Sequence, residues 1–418
     1  MNLLKIKQTL TQPFTALEHK NFKIFLSGQI ISLIGTWMQT ISLPWLAYTI
    51  TKSPLLLGLV GTLQFLPVLL FSLFVGALLD RFNKRRVLIF TQSTLAINAS
   101  LFAFLVISGH IQYWHILILA SIQGIVAAID MPTRQSFMIE MVGKKDLMNA
   151  IALNSTIFNT ARILGPAIAG LVMAQIGIGF CFLFNALSFL PLIFGLFFIK
   201  PFPAVKREAK KEILGDIADG LKYILSEKIL IQTILTVLIV STFIMNFNVL
   251  VPVFAKTVLM QNEKGFGLLM SCMGVGSLLG ALTQASKSRQ GPKRKNMIGA
   301  ALLVACVFVA VSFTHQFFVS ACLIALAGFL AVTFQTSANS TIQLNAKDEY
   351  RSRAISAYFL VNAGTTPLGN LFVGTVIEHF GIKICFILIG LLVFSLVSLL
   401  VFLTRNKKET PSLEPEAS

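Results

Sequence analysis

The charged side chains of this chain are few, and their spacing favours pairing and switching of charge over bond-making. A dense knot of Asp80, Arg81, Lys84, Arg85 and Arg86 stands between two apolar runs, with Gly76 just before it and Asn83 inside it. Asp130 and Arg134 are spaced i, i+4, with Pro132 between them and Glu140 further on. Arg162 stands inside an apolar segment, where a charge cannot face lipid cheaply and should point inward. Bond-making chemistry has no comparable foothold. The sequence contains no G-x-S-x-G, no HExxH and no phosphate-binding glycine loop with lysine. The five histidines (His19, His110, His115, His315, His379) are isolated. The five cysteines are scattered singly, which indicates neither a metal site nor a disulfide framework. No enzyme activity, cofactor or metal is expected.

The elements that carry these residues are read from composition. Of 418 residues, 55% are hydrophobic and only 12% are charged, about half the charged share of a soluble globule. Much of the surface must then face lipid. Twelve apolar stretches are long enough to cross a bilayer. They lie near 22–50, 55–79, 86–108, 112–131, 148–175, 179–199, 229–255, 265–285, 296–314, 317–339, 353–377 and 382–404. The expectation is an all-α membrane protein of twelve transmembrane helices. Lys5, Lys7, Lys20 and Lys23 precede a first apolar segment too long for a signal peptide.

A net charge of +17 would point to nucleic acid in a soluble protein. Here the positive-inside rule accounts for it, and no nucleic-acid partner is expected. With the N-terminus inside, the inner segments hold all basic residues except Lys52, Lys256, Lys264, Lys383 and Arg162. Both termini are therefore expected in the cytoplasm.

Residues 200–228 form the longest internal polar segment, with Pro201, Pro203 and a basic run from Lys206 to Lys211. Within it Ile213, Ile217, Leu221 and Ile224 recur at helical spacing, which predicts an amphipathic helix on the inner membrane surface. The segment divides the chain into a six-span half at 1–199 and another at 229–404, with a tail at 405–418. Gly76-Ala77-Leu78 matches Gly280-Ala281-Leu282, each before a basic hairpin, and Gly165-Pro166-Ala167 matches Thr366-Pro367-Leu368 at nearly the same offset. Paired halves place a substrate site between them near the bilayer midplane, and rocking alternates access to it.

The whole-chain pattern resembles the major facilitator superfamily, and the two six-helix bundles expected here are that fold. Residues Gly76 to Arg86 are similar to its loop 2–3 motif, with Asn83 where the family favours glycine. Asparagine tolerates a left-handed turn, so the turn is expected to survive. Three further stretches resemble the branch that includes enterobactin exporters and macrolide-efflux proteins. They are Gly35 to Thr40, Asp130 to Gln135, and Asn154-Ser155 with Arg162-x-x-Gly165-Pro166.

Several site readings follow. Asp80 lies near the inner end of span two and needs cationic partners, which Arg81, Lys84 or Arg85 can supply. The resemblance implies that Asp80 also meets the start of span eleven when the cytoplasmic side closes. Arg351 and Arg353 can join that cluster. In span five, Ala161, Gly165 and Ala169 make a small-residue face for close helix approach, continued by Pro166 and Gly170. Beside it Ser155, Asn159, Arg162 and Pro166 make a polar face. Arg162 binds an anionic substrate group, pairs with an acid as a proton-coupling candidate, or serves as an interhelical tie. Gln123-Gly124 resembles the end of the antiporter motif, but its arginine position is Ala120, so proton coupling rests on the resemblance alone. Pro132 is expected to end or bend span four, placing Asp130, Arg134 and Glu140 at an inner gate. Asp130 is the first candidate for a coupling acid, unless Arg134 holds it.

Gln29, Ser32, Thr36 and Gln39 recur at helical spacing in span one and should face the central cavity. Asn246, Asn248, Gln335 and Asn362 supply amides in spans seven, ten and eleven. Helix–helix hydrogen bonding is the alternative use of each. The function expected is a monomeric secondary transporter of a bacterial inner membrane that exports a siderophore, macrolide or similar amphipathic molecule in exchange for protons. Uptake, lipid flipping, or a non-transporting sensor are the other readings.

Overall fold

The computed structural model describes residues 12–79, 82–199, 222–286, 294–347 and 349–405. Among them the chain is helical almost throughout, which follows from the bilayer. With no water to bond exposed amides, a spanning segment must satisfy its backbone internally. The helices are α1 (Lys20–Thr51), α2 (Pro54–Leu79), α3 (Lys84–Ile107), α4 (Tyr113–Gly143), α5 (Lys145–Gln175) and α6 (Ile178–Phe198). Then come α7a (Lys228–Phe243), α7b (Phe247–Thr257), α8 (Glu263–Ser286), α9 (Arg294–Ser312), α10 (Phe317–Asn345), α11a (Arg351–Gly364), α11b (Thr366–Phe380) and α12 (Ile382–Arg405).

Eleven of the expected spans are single crossings by length and composition. The twelfth, α11, is broken at Thr365, and Pro367 opens its second piece. Proline has no N–H to donate and its ring crowds the preceding turn, so the helix restarts there. The crossing α7 is also interrupted, between Phe243 and Phe247, where Asn246 leaves helical geometry (φ −92°, ψ 38°) with no proline at the break.

Span four differs from its sequence-based boundary. Helix runs unbroken past Pro132 to Val142, and the break with α5 falls at Gly143 (φ 69°, ψ 177°). That conformation is open to glycine and strained for a side chain. Pro132 removes one backbone donor inside a long helix without ending it, and Thr133 Oγ1 donates to the Ile129 carbonyl in the same turn at 2.6 Å.

Packing divides by contact medium. Phe102 and Phe182 stack at 5.0 Å between α3 and α6, and Phe254, Phe308 and Phe386 meet edge-to-face among the later helices. Large apolar side chains also face outward: Phe104 is 69% exposed and Phe194 60%. In a soluble protein that surface would aggregate; against lipid it is the solvated face. The expected amphipathic helix lies outside the described residues except for its last turn. There Tyr223 stacks on Tyr350 at 4.4 Å and accepts a hydrogen bond from the Lys347 amide at 2.9 Å.

Candidate functional site

The helices present two ends. The basic end carries Lys84, Arg85, Lys145, Lys228, Arg294 and Arg351; the opposite end carries the short loops near residues 52, 177, 260 and 381. At that opposite end the first six helices and the later ones are held together by specific contacts. Trp45 on α1 stacks on Phe266 of α8 at 4.9 Å and donates its indole N–H to Glu263 at 3.2 Å. Lys256 of α7b lies over the Trp45 and Tyr48 rings at 5.3 and 5.8 Å and donates to Thr49 Oγ1 at 3.0 Å. Glu378 of α11b accepts from Ser53 Oγ at 2.8 Å and from the Leu55 amide at 3.3 Å.

Going inward, Thr62 of α2 donates to the Pro367 carbonyl at 2.9 Å. The α2 glycines Gly58 and Gly61 leave room for Asn370, whose carbonyl and amide would meet an added Cβ at 2.4 and 2.6 Å. Gly170 of α5 and Gly267 of α8 cross backbone to backbone. The innermost approaches are Leu69 with Gly364 and Arg162–Ile163 with Gly274, both near the middle of their crossings. These hydrogen bonds, ring contacts and glycine approaches between the two sets of helices run from this level to the opposite end. The opposite end is therefore closed by contacts between the two sets of helices.

At the basic end, charges pair locally. Asp130 is buried and accepts from Thr91 Oγ1 at 2.6 Å, Gln92 Nε2 at 2.7 Å and Arg134 Nε at 2.5 Å. The expected Asp130–Arg134 pair is present, and α3 completes it. Glu140 does not join it: Glu140 pairs with Lys84 instead. Arg85 donates to the carbonyls of Leu196 and Phe197 at 2.6 and 2.8 Å, neutralising the end of α6. Arg351 donates to the Gln343 carbonyl at 2.9 Å, and Arg353 lies over the Tyr350 ring at 5.4 Å.

Asp80 and Arg81 lie outside the described residues, and Gly76 falls within α2. Asn83 does not form the left-handed turn expected of it. At φ −68°, ψ 110° it is the N-cap of α3 and accepts from the Arg86 amide at 3.2 Å. Asparagine is among the best N-cap residues, and that use wins.

The polar stripe of span one is also placed differently. Gln29, Ser32 and Gln39 are buried among the first six helices and do not face the central space. Gln29 donates to Asn154 of α5 at 2.7 Å. Gln39 donates to Gln123 of α4 at 3.2 Å and accepts from Asn185 of α6 at 2.6 Å. Thr36 donates to its own helix at Ser32. Periodicity identified the face correctly, but a neighbouring helix covers it. Among the later helices Asn362 accepts from Ser241 at 2.8 Å and from Gln335 at 3.4 Å. Asn246 donates to the Thr242 carbonyl at 2.7 Å, and Asn248 stands beside Asn370 in a small cleft with Pro44 and Gly61.

In α5, Gly165 admits α1, since an added Cβ would lie 2.4 Å from Trp37 Cβ, and Ala161 and Ala169 are fully buried. Arg162 donates from Nη2 to Asn159 Oδ1 at 2.8 Å, and Asn159 Nδ2 donates to the Ser155 carbonyl at 2.8 Å. Trp45, Lys256 and Glu263 were not found by sequence reasoning. The signal lay in Lys256 and Lys264, two of the rare basic residues outside the inner loops, with Glu263 between them.

Two bundles of long helices held against each other at the end away from the basic loops have the major facilitator fold. The solved nucleoside transporter NupG shares the fold, with a TM-score of 0.75 at 12% identity, covering 93% of this chain and 100% of that one. Residues 11–417 match the transmembrane secretion effector family, and the chain belongs to it. It is a multi-pass membrane transporter, not an enzyme. It is 26% identical to the staphyloferrin A transporter of Staphylococcus aureus, over 92% of this chain and 97% of that protein. It is 24% identical to the multidrug efflux pump Tap of Mycolicibacterium fortuitum, over 92% and 96%.

Proposed function

We propose that the chain exports an amphipathic small molecule from the cytoplasm by alternating access, in exchange for protons, with both termini inside. One observation supports this most: the closed end is the one away from the basic hairpins. By the positive-inside rule the closed end then faces away from the cytoplasm, and with it shut a cargo reaches the site between the halves from the cytoplasmic side, where an exporter loads. The halves at 1–199 and 229–404 rock about the midplane contacts, joined through residues 200–228. The name of one relative, the multidrug efflux pump Tap, agrees with an outward cargo. Protons enter through the family resemblance, and the Asp130–Arg134 pair is the charge pair we assign to coupling. Gating at the basic end falls to Asp80, with Arg351 and Arg353 at the start of α11a.

Everted membrane vesicles test the reading. An exporter accumulates an amphipathic dye when the vesicle interior is acidified, and a protonophore abolishes the accumulation. Uptake only into right-side-out vesicles would overturn export, and accumulation indifferent to the protonophore would overturn proton exchange.

A further inference from the structure

Arg162 is a half-buried cation with no counter-charge among the described residues. Its Nε is shielded from solvent and has no hydrogen-bond acceptor among the described residues. The four ion pairs formed by described residues do not include it. A guanidinium does not lose its proton in a protein. Leaving such a charge unpaired away from water is costly, and buried charges are ordinarily paired.

The guanidinium is nevertheless held in position. Asn159 Nδ2 donates to the Ser155 carbonyl at 2.8 Å and to its hydroxyl at 3.4 Å, which turns the Asn159 oxygen toward Arg162 Nη2 at 2.8 Å. Three polar residues on one stripe of α5 thus fix one edge of the fork and leave another edge free.

The direction of that stripe follows from the neighbours of α5. Gly165 abuts Trp37 of α1, and Ile163 and Gly170 abut Gly274 and Gly267 of α8. At 100° per residue, Ser155 and Arg162 fall between those two contacts. They face the space between the two sets of helices, at the level where the inter-set contacts end. Phe158, on the same side of the helix, is 41% exposed and packs edge-on against Trp37 at 5.6 Å.

We propose that Arg162 is the anchor for a carboxylate on the exported molecule, with Asn159 and Ser155 as its positioning residues and Trp37 and Phe158 as an apolar wall. The planar fork matches a carboxylate bidentately. One cation flanked by a neutral amide and a hydroxyl balances a monoanion, whereas a phosphate monoester dianion calls for a second cation. The assignment rests on the export reading for its direction, but binding itself does not depend on transport.

The test uses the purified full chain in detergent and two dyes with one ring system. Rhodamine 110 carries a free carboxylate, and rhodamine 123 is its methyl ester. Fluorescence anisotropy should show the free acid binding about tenfold more tightly than the ester, a typical cost of leaving a buried charged donor unpaired. Arg162→Gln should erase that preference, and Arg162→Lys should keep part of it. The empty Arg162→Gln protein should melt no lower than wild type, because an uncompensated charge has been removed. Equal affinities, binding of neither dye, a preference that survives Arg162→Gln, or a lower melting temperature of that variant would each overturn the assignment. Failure of export instead shows in the vesicle experiment, which leaves these affinities untouched.

Discussion

Trp45 and Glu263, 218 residues apart in sequence, join the two halves of the transporter through one indole N–H donated to one carboxylate oxygen at 3.2 Å. The same ring stacks on Phe266 and lies beneath the Lys256 ammonium. A cation over the ring face and an anion at its edge both match the ring's charge distribution. Trp45 is only 2% exposed, so these contacts are made away from bulk water. They exist only while the end opposite the basic hairpins is closed, and opening must break them together.

Trp45→Phe keeps a stacking ring and removes the N–H. A hydrogen bond to a charged group contributes about 1.5–3 kcal/mol, so the closed-to-open ratio at this end should fall roughly ten- to a hundredfold. A cysteine at Leu57, buried at this end, would report it. An impermeant maleimide added outside should label that cysteine several-fold faster in the Trp45→Phe background. Equal labelling rates would show that the indole N–H does not hold the closure. Glu263→Gln should act in the same direction and more weakly, since the amide oxygen still accepts.

Gly170 and Gly267 make a second, purely steric claim. A Cβ at Gly267 would lie 2.6 Å from Gly170 Cα and 2.8 Å from the Pro166 carbonyl oxygen, and backbone cannot move aside as a side chain can. Gly267→Ala should therefore cost about 1–3 kcal/mol of closed-state stability, in the range of overpacking. The maleimide assay should again show faster outside labelling. Substitution at Gly299, where an added Cβ meets nothing within 4 Å, is the control and should leave labelling unchanged.

The crossings were legible in sequence because a bilayer imposes a length on every apolar run. What misled was local. Pro132 reads as a helix end, yet a span can absorb one missing donor when its neighbours pack around it, and the break waited for Gly143. Thr366-Pro367 carried a like signal, and there the helix does break. The stripe from Gln29 to Gln39 was visible as a face, but periodicity does not say whether lipid, cavity or another helix covers it. Arg162 was legible as an inward charge because no other place is tolerable for it. The closure at Trp45, Glu263 and Lys256 was not, because each is a single residue whose partner lies far along the chain.

Asp130 is bound by donors from two helices, Thr91 and Gln92 on α3 and Arg134 on its own. Asp130→Asn would leave Arg134 without its anion while keeping an acceptor for α3. Asp130→Asn and Arg134→Gln should each lower the melting temperature. The double variant should lose less than the two together, with a coupling of about 0.5–3 kcal/mol for residues in contact. If this pair also couples protons, Asp130→Asn should retain downhill dye exchange and lose accumulation driven by a proton gradient. Gradient-driven export at the wild-type rate would leave the pair as a structural tie only.

The basic hairpin sets Asp80 beside four cations in sequence, Arg81, Lys84, Arg85 and Arg86. Of the cations that its order offers to Asp80, Lys84 is held by Glu140 and Arg85 by the carbonyls that end α6. Those partners bind the hairpin to its own half. We propose that Asp80 meets the start of α11a, where a helix N-terminus attracts an anion as the basic end closes. Asp80→Asn should keep normal insertion and expression, because the basic residues that set topology are untouched. It should lower export several-fold by weakening the state closed to the cytoplasm. The Leu57→Cys reporter should then label more slowly from outside, the opposite of the Trp45→Phe effect. Faster labelling, or export at the wild-type rate with normal expression, would remove Asp80 from the gate.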